Sequence, residues 1–560
     1  MKFKSFLETD VLVMGAGLAG CIAAISAAQA GAKVCLVSST EIFSGSSFYP
    51  GTWGLGLVAP DGTEDETDLV ETILRVGEQV ADRHLVEIFV SHITESIQYL
   101  EQMGMHLKEA ENKGEREFIP CFDHKNRSWH GLLQNEMREI FLQKMKALTI
   151  TCLPHTQIVE SVMEGNRVCG ALALSREHGC IFLSAKSTVL ASGGMGGLFQ
   201  YRLNTSDITG MGQFIGLRSG CSLINLEFMQ MMPGYLSPAP KTIFNEKVFR
   251  YSRFCFPGTQ DSIWADWELR KQKDLLELRS AHGPYTSRLA SGEIDEKLFR
   301  CFLQDSRGVS VSYREEIWDN QPEFVKTYFD WLAEKKHITV RDPFQMGIFA
   351  HASNGGIQID EHAATGVAGL FACGEVTGGM HGADRLGGLS TANGLVFGRI
   401  AGASAAKMAA KELEQITETE ERIEWIPGAD AYLEEIRQMN FVCAMILRDE
   451  HTIKEAQKRL LEIRQEVQEQ IQEVRLQTEK TAEELKKTYE CKAAMLLTEG
   501  LQQAILLRRE SRGSHHRVDY PNLDESLDRW IACTYNRKNR KIKTEFVKEK
   551  QEVASCRETF

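Results

Sequence analysis

The sequence predicts an α/β protein in which a Rossmann-like domain is assembled from two separated stretches, an inserted α+β domain caps it, and a helical domain closes the chain. Three observations predict this. A strand, a glycine turn, a helix and a second strand follow one another within about 30 residues of the N terminus. An irregular, aromatic-rich stretch runs from about Glu227 to Phe344, and a charge-dense helical stretch runs from about Lys411 to Cys491. The expected boundaries are 1–226 and 345–410 for the two parts of the first domain, 227–344 for the cap and 411–560 for the helical domain. A chain of 560 residues is also too long for one compact core.

In order along the chain, Asp10-Val-Leu-Val-Met14 reads as a buried parallel strand, Gly15 to Gly20 as the turn, and the Ala-rich run to Gly31 as the helix. Lys33 to Val37 is the second strand. Leu69, Ile73, Val76 and Val80 recur at helical spacing between Glu64 and Lys108. Short alternating runs from Leu153 predict a strand-rich excursion that returns at Thr188 to Ala191. Near the end, Leu460, Leu461, Ile463, Val467, Ile471 and Val474 predict helical hairpins or a small bundle.

Composition narrows the function. With 43% hydrophobic and 25% charged residues the chain is globular, and its net charge of −13 argues against nucleic acid or an anionic membrane as the main partner. The 14 cysteines are scattered and no two fall in a C-x-x-C spacing, which speaks against a chain-borne zinc, iron–sulfur or haem site. Met1 to Asp10 lacks an apolar core and cleavage site, so a cytoplasmic, reducing location is expected. The longest apolar stretch, Gly15 to Gly31, is too short to span a bilayer, and no transmembrane segment is expected.

Gly15, Gly17 and Gly20 satisfy G-x-G-x-x-G: the first permits the tight turn, the second lets backbone approach a pyrophosphate, and the third lets helix pack on strand. The helix N-terminus, with free N–H groups, then receives the phosphate charge. The acid that normally closes the second strand is replaced by Ser38, with Glu41 three residues on; either could meet a ribose hydroxyl. A second glycine-rich block, Gly45-Ser-Ser-Phe-Tyr-Pro-Gly51 followed by Gly54 and Gly56, comes next.

The block Leu370-Phe-Ala-Cys-Gly-Glu-Val-Thr-Gly-Gly-Met-His-Gly-Ala-Asp-Arg-Leu-Gly-Gly-Leu-Ser390 resembles the signature of FAD-dependent fumarate reductases, succinate dehydrogenase flavoprotein subunits and L-aspartate oxidases. Leu190 to Gly197, Thr209 to Gly212 and Glu510 to Pro521 extend the resemblance over nearly the whole chain. It implies FAD as cofactor, with Gly15, Gly17, Gly20, Ser38, Ser46, Ser47, Gly51, Gly194, Glu375, Gly387, Leu389 and Ser390 around it. Glu375 would accept from ribityl or ribose hydroxyls, and the helix after Ser390 would stabilise negative charge on reduced flavin. Respiratory members attach flavin covalently through a histidine in the Gly45 loop; Ser47 holds that place here, so dissociable FAD is expected.

The resemblance also implies a small carboxylic acid substrate. His351 and Arg385 would bind carboxylate, for which arginine offers bidentate donors and a permanent charge. His381 would order its loop. Arg307, in Asp-Ser-Arg-Gly-Val-Ser310, falls where the family has its proton-donating arginine, and Glu246 is retained from the proton relay. Several positions depart from the pattern: Met232 replaces a histidine, Asn245 a threonine, Phe249 the relay arginine, Met211 an aspartate and Asp384 an asparagine.

Three readings follow. The first is hydride transfer between flavin N5 and the C–C bond of a (di)carboxylic acid. The second is an amino-acid oxidase like L-aspartate oxidase, suggested by the Gly-Ser-Ser-Phe-Tyr order. The third is a catalytically altered FAD-binding protein that relays electrons. An iron–sulfur or other electron-transfer protein would have to be a separate partner.

Overall fold

A computed structural model describes residues 2–52, 55–109, 111, 119–319, 321–474 and 480–547. Its largest sheet has eight strands, with Lys2–Met14 at the centre. Val34–Val37 lies parallel on one side of that strand and Gly179–Leu190 parallel on the other. Thr151–Leu153 extends the sheet beyond Val34–Val37, and Leu370–Ala372 joins Gly179–Leu190, again in parallel. Thr156–Glu164 and Arg167–Ser175 complete an antiparallel meander that runs into the first half of Gly179–Leu190. The strand-rich excursion and its return at Thr188 are therefore both present.

The first strand begins at Lys2 rather than near Asp10, because Lys2, Phe3 and Lys4 pair antiparallel with Glu420, Thr419 and Glu418. No local periodicity encodes a partner so remote along the chain. The helix Leu18–Gln29 follows the glycine turn and is buried along Leu18, Ile22 and Ile25, each contributing roughly 1.5–3 kcal/mol. It packs against Leu389–Ala409, where Gly398 and Gly402 lie close to its backbone.

The helical stretch after Glu64 is two helices, Thr63–Val76 and Arg83–Gln102. Val80 is buried but lies in the turn between them. The break is set by tertiary contact: Gly77 O accepts from Ala383 N at 3.0 Å, and Asp82 N donates to Gly379 O at 2.7 Å. That turn braces the 379–385 loop from below.

Met229–Ser237 and Phe344–Ser353 pair antiparallel and carry a smaller sheet with Val309–Tyr313 and Ser252–Cys255. With helices Leu269–Arg279, Gly292–Gln304 and Glu323–Lys336 this stretch forms the α+β cap. Three helices, Ala429–Cys443, Glu450–Gln470 and Ala482–Leu507, build the C-terminal part. Leu460, Ile463 and Val467 are buried there as expected, but Leu461 is exposed. Ile471 ends the helix and Val474 sits in a short strand paired with Ile423–Trp425. The C-terminal part is not wholly helical: the hairpin Trp530–Asn536 and Lys541–Val547 joins Leu223–Ile224 and Gly356–Ile357 in a four-stranded sheet. Among the described residues no helix is long and apolar enough to cross a membrane.

Candidate functional site

One cavity of about 340 Å³ runs from the first glycine turn to the foot of the cap. At its nucleotide end it is lined by Gly15, Ala16, Gly17, Leu18, Ser38, Ser44, Ser46, Ser47, Gln157 and Ser192. Gly15 has φ +109°, and a Cβ there would overlap the Ala191 carbonyl oxygen; a Cβ on Gly20 would overlap the Gly15 carbonyl oxygen. These two glycines are required by the fold itself. Gly17 differs: a Cβ there would touch only Ser47 Oγ at 3.6 Å and Ser44 O at 3.7 Å, ordinary contacts. Protein packing does not demand glycine at 17, so the room is explained by a group that approaches the backbone.

The helix above Gly17 has no side-chain cap and no acid in its first turn, although Leu18 N donates to Ser47 Oγ at 3.1 Å. Its positive end is left for an anion. Farther along, Gln157 is only 4% exposed, and neither its amide nitrogen nor its amide oxygen has a partner among the described residues. An unpartnered buried amide is costly unless a ligand completes it, and an adenine edge would. Ser192 Oγ and Asn393 Oδ1, also lining the cavity, are likewise unpartnered. The residues present therefore fit a dinucleotide: backbone for pyrophosphate, an amide for the base, and small polar groups between.

Of the two candidates for the ribose hydroxyl, Ser38 lines the cavity and Glu41 does not. Glu41 points to the surface, accepting from His155 Nε2 at 2.9 Å. Ser38 lines the cavity, its hydroxyl donating to Glu41 O at 2.8 Å.

The Glu375 to Ser390 block closes the other side. Glu375 is half-buried, desolvation raises its pKa, and Oε1 accepts from Ser353 N at 3.0 Å. Leu389–Ala409 starts behind Gly388, which has φ +78° and lies against Val58; Ser390, Thr391, Asn393 and Gly394 face the cavity. Arg385 Nε donates to Gln230 Oε1 at 3.0 Å and Nη1 to Ser390 Oγ at 2.9 Å. Its Nη2 has no partner among the described residues, so the guanidinium keeps donors for a ligand. The 380–385 loop is held from outside by the Glu510 to Arg517 segment: Ser514 Oγ donates to Ala383 O at 2.8 Å, and Arg508 and Arg512 share Glu510. Glu227 completes that buried network by accepting from Arg508 Nε at 2.7 Å.

His351 reaches the cavity through an irregularity of the cap sheet. Gln230 faces Ala352 and Met231 faces Ala350, so His351 is the extra residue of a bulge, a device that re-aims one side chain. Its Nδ1 is buried without a partner among the described residues. Burial, then the Arg385 cation, pushes its pKa down to about 3, and the same two causes hold His381 well below the ordinary range. Both imidazoles are neutral at ordinary pH. Glu246 lines the cavity beside Met232 and Ile243 and accepts from Cys121 Sγ at 3.1 Å.

The structure thus brings together Gly15, Gly17, Ser38, Ser46, Ser47, Glu246, His351, Glu375, Arg385 and Ser390 as lining residues. Gly20, Gly51, Gly194, Gly387 and Leu389 stand one layer back. Gly51 packs under the Tyr49 ring and Gly194 against Glu375. Gly387 donates its N–H to Cys121 O at 3.1 Å, and Leu389 points into the core. Arg307 is not brought to the site: it sits on an exposed turn before Val309–Tyr313, paired with Asp305 at 2.6 Å. Gly308 after it, with φ +71° against Met346 O, turns the chain away. Gly54 lies outside the described residues.

Sequence reasoning misses Gln157, Cys121 and the 282–288 loop. In that loop Thr286 Oγ1 donates to Asp384 Oδ2 at 2.7 Å, and Arg288 Nε lies 3.5 Å from the same oxygen. Arg279, buried on Asp295 at 2.6 Å, donates to Gly283 O at 2.8 Å and fixes the loop. The Gly283-Pro284 pair is the one available signal.

Comparison with known proteins agrees with this geometry. The FAD binding domain family matches residues 10–248 and 325–391, and the fumarate reductase flavoprotein C-terminal family matches 434–557. The chain is 26% identical to a component of the fumarate reductase (CoM/CoB) of Methanothermobacter marburgensis, over 96% of this chain and 98% of that protein. An L-aspartate oxidase of Pseudomonas aeruginosa is 26% identical over 92% and 96%. In fold, the chain is similar to Mycobacterium smegmatis Sdh1, with a TM-score of 0.80 at 24% identity over 99% and 97% of the two chains. It is also similar to FrdA of E. coli quinol fumarate reductase, at 0.75 and 21% over 98% and 97%. With glycine turn, buried amide and arginine-bearing loop around one cavity, the chain belongs to the FAD-dependent oxidoreductase family of fumarate reductase and succinate dehydrogenase flavoproteins and L-aspartate oxidase.

Proposed function

We propose that the chain moves a hydride between FAD and the carbon–carbon bond next to a substrate carboxylate. The observation that carries this is Arg385, which lines the cavity on the flavin-family loop with Nη2 free of partners among the described residues. FAD, when bound, supplies or accepts the hydride. In the reducing direction the double bond gains that hydride at one carbon and a proton at the other, so two electrons leave the cofactor and a saturated acid results.

The residues divide the remaining work. Arg385 binds the carboxylate by charge-assisted hydrogen bonds and fixes the reacting carbons. Neutral His351 adds a hydrogen bond without adding charge. Glu246 delivers the proton, which it takes up from solvent between turnovers, and the Cys121 thiol that points at it donates a hydrogen bond to the carboxylate left behind. Met232 and Ile243 keep water away. Arg307, exposed and paired with Asp305, has no part in this scheme.

We further propose that FAD is non-covalent, because Ser47 stands where the covalently flavinylated relatives have a histidine and offers no ring nitrogen to bond the flavin. Electrons would arrive from a separate iron–sulfur or other electron-transfer protein, and the many free cysteines suit a reducing, cytoplasmic setting. The test is anaerobic: reduce the holoprotein and follow flavin reoxidation by unsaturated acids, with acid precipitation to check release of the colour. Reoxidation by an unsaturated acid supports the reading. Peroxide formation with L-aspartate would select an amino-acid oxidase, and inertness toward every acceptor would select an altered protein that only relays electrons.

A further inference from the structure

The lining of the substrate end specifies the acid more narrowly than the reaction does. Among the described lining residues Arg385 is the one arginine or lysine, against Asp207, Glu246 and Glu375. The nearby cations lie outside the lining, although Arg288 Nε and Nη2 have no hydrogen-bond partner among the described residues. Arg279 is locked to Asp295, Arg250 faces Glu277, Lys247 Nζ donates to Ile119 O, and Arg288 lies over the Phe122 ring between Glu78 and Asp384. Arg202, next to the lining Leu203, has its guanidinium by Gly197 and is not a lining residue. The two histidines are neutral. Within the lining, one side chain, Arg385, can clamp a carboxylate by charge.

Beyond that clamp the wall is apolar. Gln230, which holds Arg385, and Met232 are two residues apart on one strand and share a face, about 7 Å along. Met232 clusters with Tyr49, Leu203 and Phe349, with Ile243 packed against them. At the same end Met232 Cε, Cys121 Sγ and Glu246 Oε2 converge, lying 3.3, 3.4 and 3.5 Å from the position a Cβ on Gly283 would take. A second carboxylate placed there would meet a thioether and another carboxylate, and the Lys247 ammonium near Cys121 is not a lining residue and donates to Ile119 O.

We propose that the site selects acids with one carboxylate and an uncharged, apolar remainder: the carboxylate on Arg385, the remainder against Met232, Ile243 and Leu203. This rests on the hydride-transfer reading for its chemistry, though not for its binding preference. Met232 and Glu246 are the specificity-determining residues, because they are what a second carboxylate would face.

The experiment has two arms, both on the FAD-loaded full chain. In the first, the oxidised protein is titrated with succinate and with 3-phenylpropionate, and binding is read from the flavin absorbance. The saturated monocarboxylate is expected to bind on the order of 10²-fold more tightly than succinate, and Met232→His is expected to narrow that ratio about tenfold. Equal or tighter binding of succinate, or no binding of either acid, overturns the proposal. In the second, the reduced protein is offered crotonate, cinnamate and fumarate. Faster reoxidation by a monocarboxylate supports it; fumarate as the fastest acceptor overturns it. If the first arm succeeds and no acid reoxidises the flavin, the selectivity stands and the hydride-transfer reading fails.

Discussion

At the nucleotide end of the cavity the work is done by backbone, through Gly15 to Leu18 and Ser44 to Ser47, whereas at the substrate end it is done by side chains from separate stretches: Met232, Glu246, His351 and Arg385. The first end is local in sequence, one turn and one neighbouring loop. The second exists only when the 229–237 and 344–353 strands pair, the 379–385 loop is braced by Gly77 and Ser514, and the 282–288 loop is pinned by Arg279. A backbone site tolerates change in side chains and fails when a Cβ intrudes. A side-chain site keeps its cofactor while its chemistry is altered one residue at a time.

That contrast can be broken at either end. The largest effect is expected from Gly17→Val, whose Cβ meets the protein only at ordinary contact distance and whose methyl groups enter the space a pyrophosphate needs; the purified variant should be folded by circular dichroism yet colourless. Glu246→Gln should keep its flavin and lose ~10²–10⁴-fold in turnover with the best unsaturated acid, the usual span for a lost proton donor.

A smaller effect, on stability rather than chemistry, is expected at Asp384. Burial pushes its carboxyl up to about 7, against the opposing pull of Arg288 and Thr286. The unfolded chain loses this proton near pH 4, so between about pH 4 and pH 7 the folded state holds a proton that the unfolded state has released. The stabilisation is whole below the unfolded value and is gone above the folded one. Asp384→Asn removes that dependence, so its urea midpoint relative to the unsubstituted protein should rise from about pH 5 to about pH 8. The smallest effect is expected from Arg307→Ala: an exposed pair with Asp305 contributes little, and steady-state turnover should be unchanged.

The same division explains what is legible in the sequence. The glycine turn, the Glu375 to Ser390 block and the return of the chain at Thr188 are local patterns with one geometric meaning, and they lie where the spacing places them. Arg307 falls where a short family motif has its arginine, but Gly308 replaces the aspartate of that motif, and this glycine, at φ +71°, turns the chain outward. Cys121 and Gln157 carry no motif; their place beside Glu246 and in the cavity wall comes from packing. His351 is identified by likeness, but its aim depends on a bulge that involves the neighbouring strand. The C-terminal hairpin is hidden because the helical pattern before it dominates that part of the sequence.

The central claim is that FAD and a carboxylic acid share this one cavity, with Arg385 facing the acid. The direct measurement compares flavin absorbance changes on adding a saturated monocarboxylate to the oxidised parent protein and to Arg385→Ala. The account predicts that both are yellow and that only the parent responds. A colourless parent, or an equal response in both proteins, would contradict it.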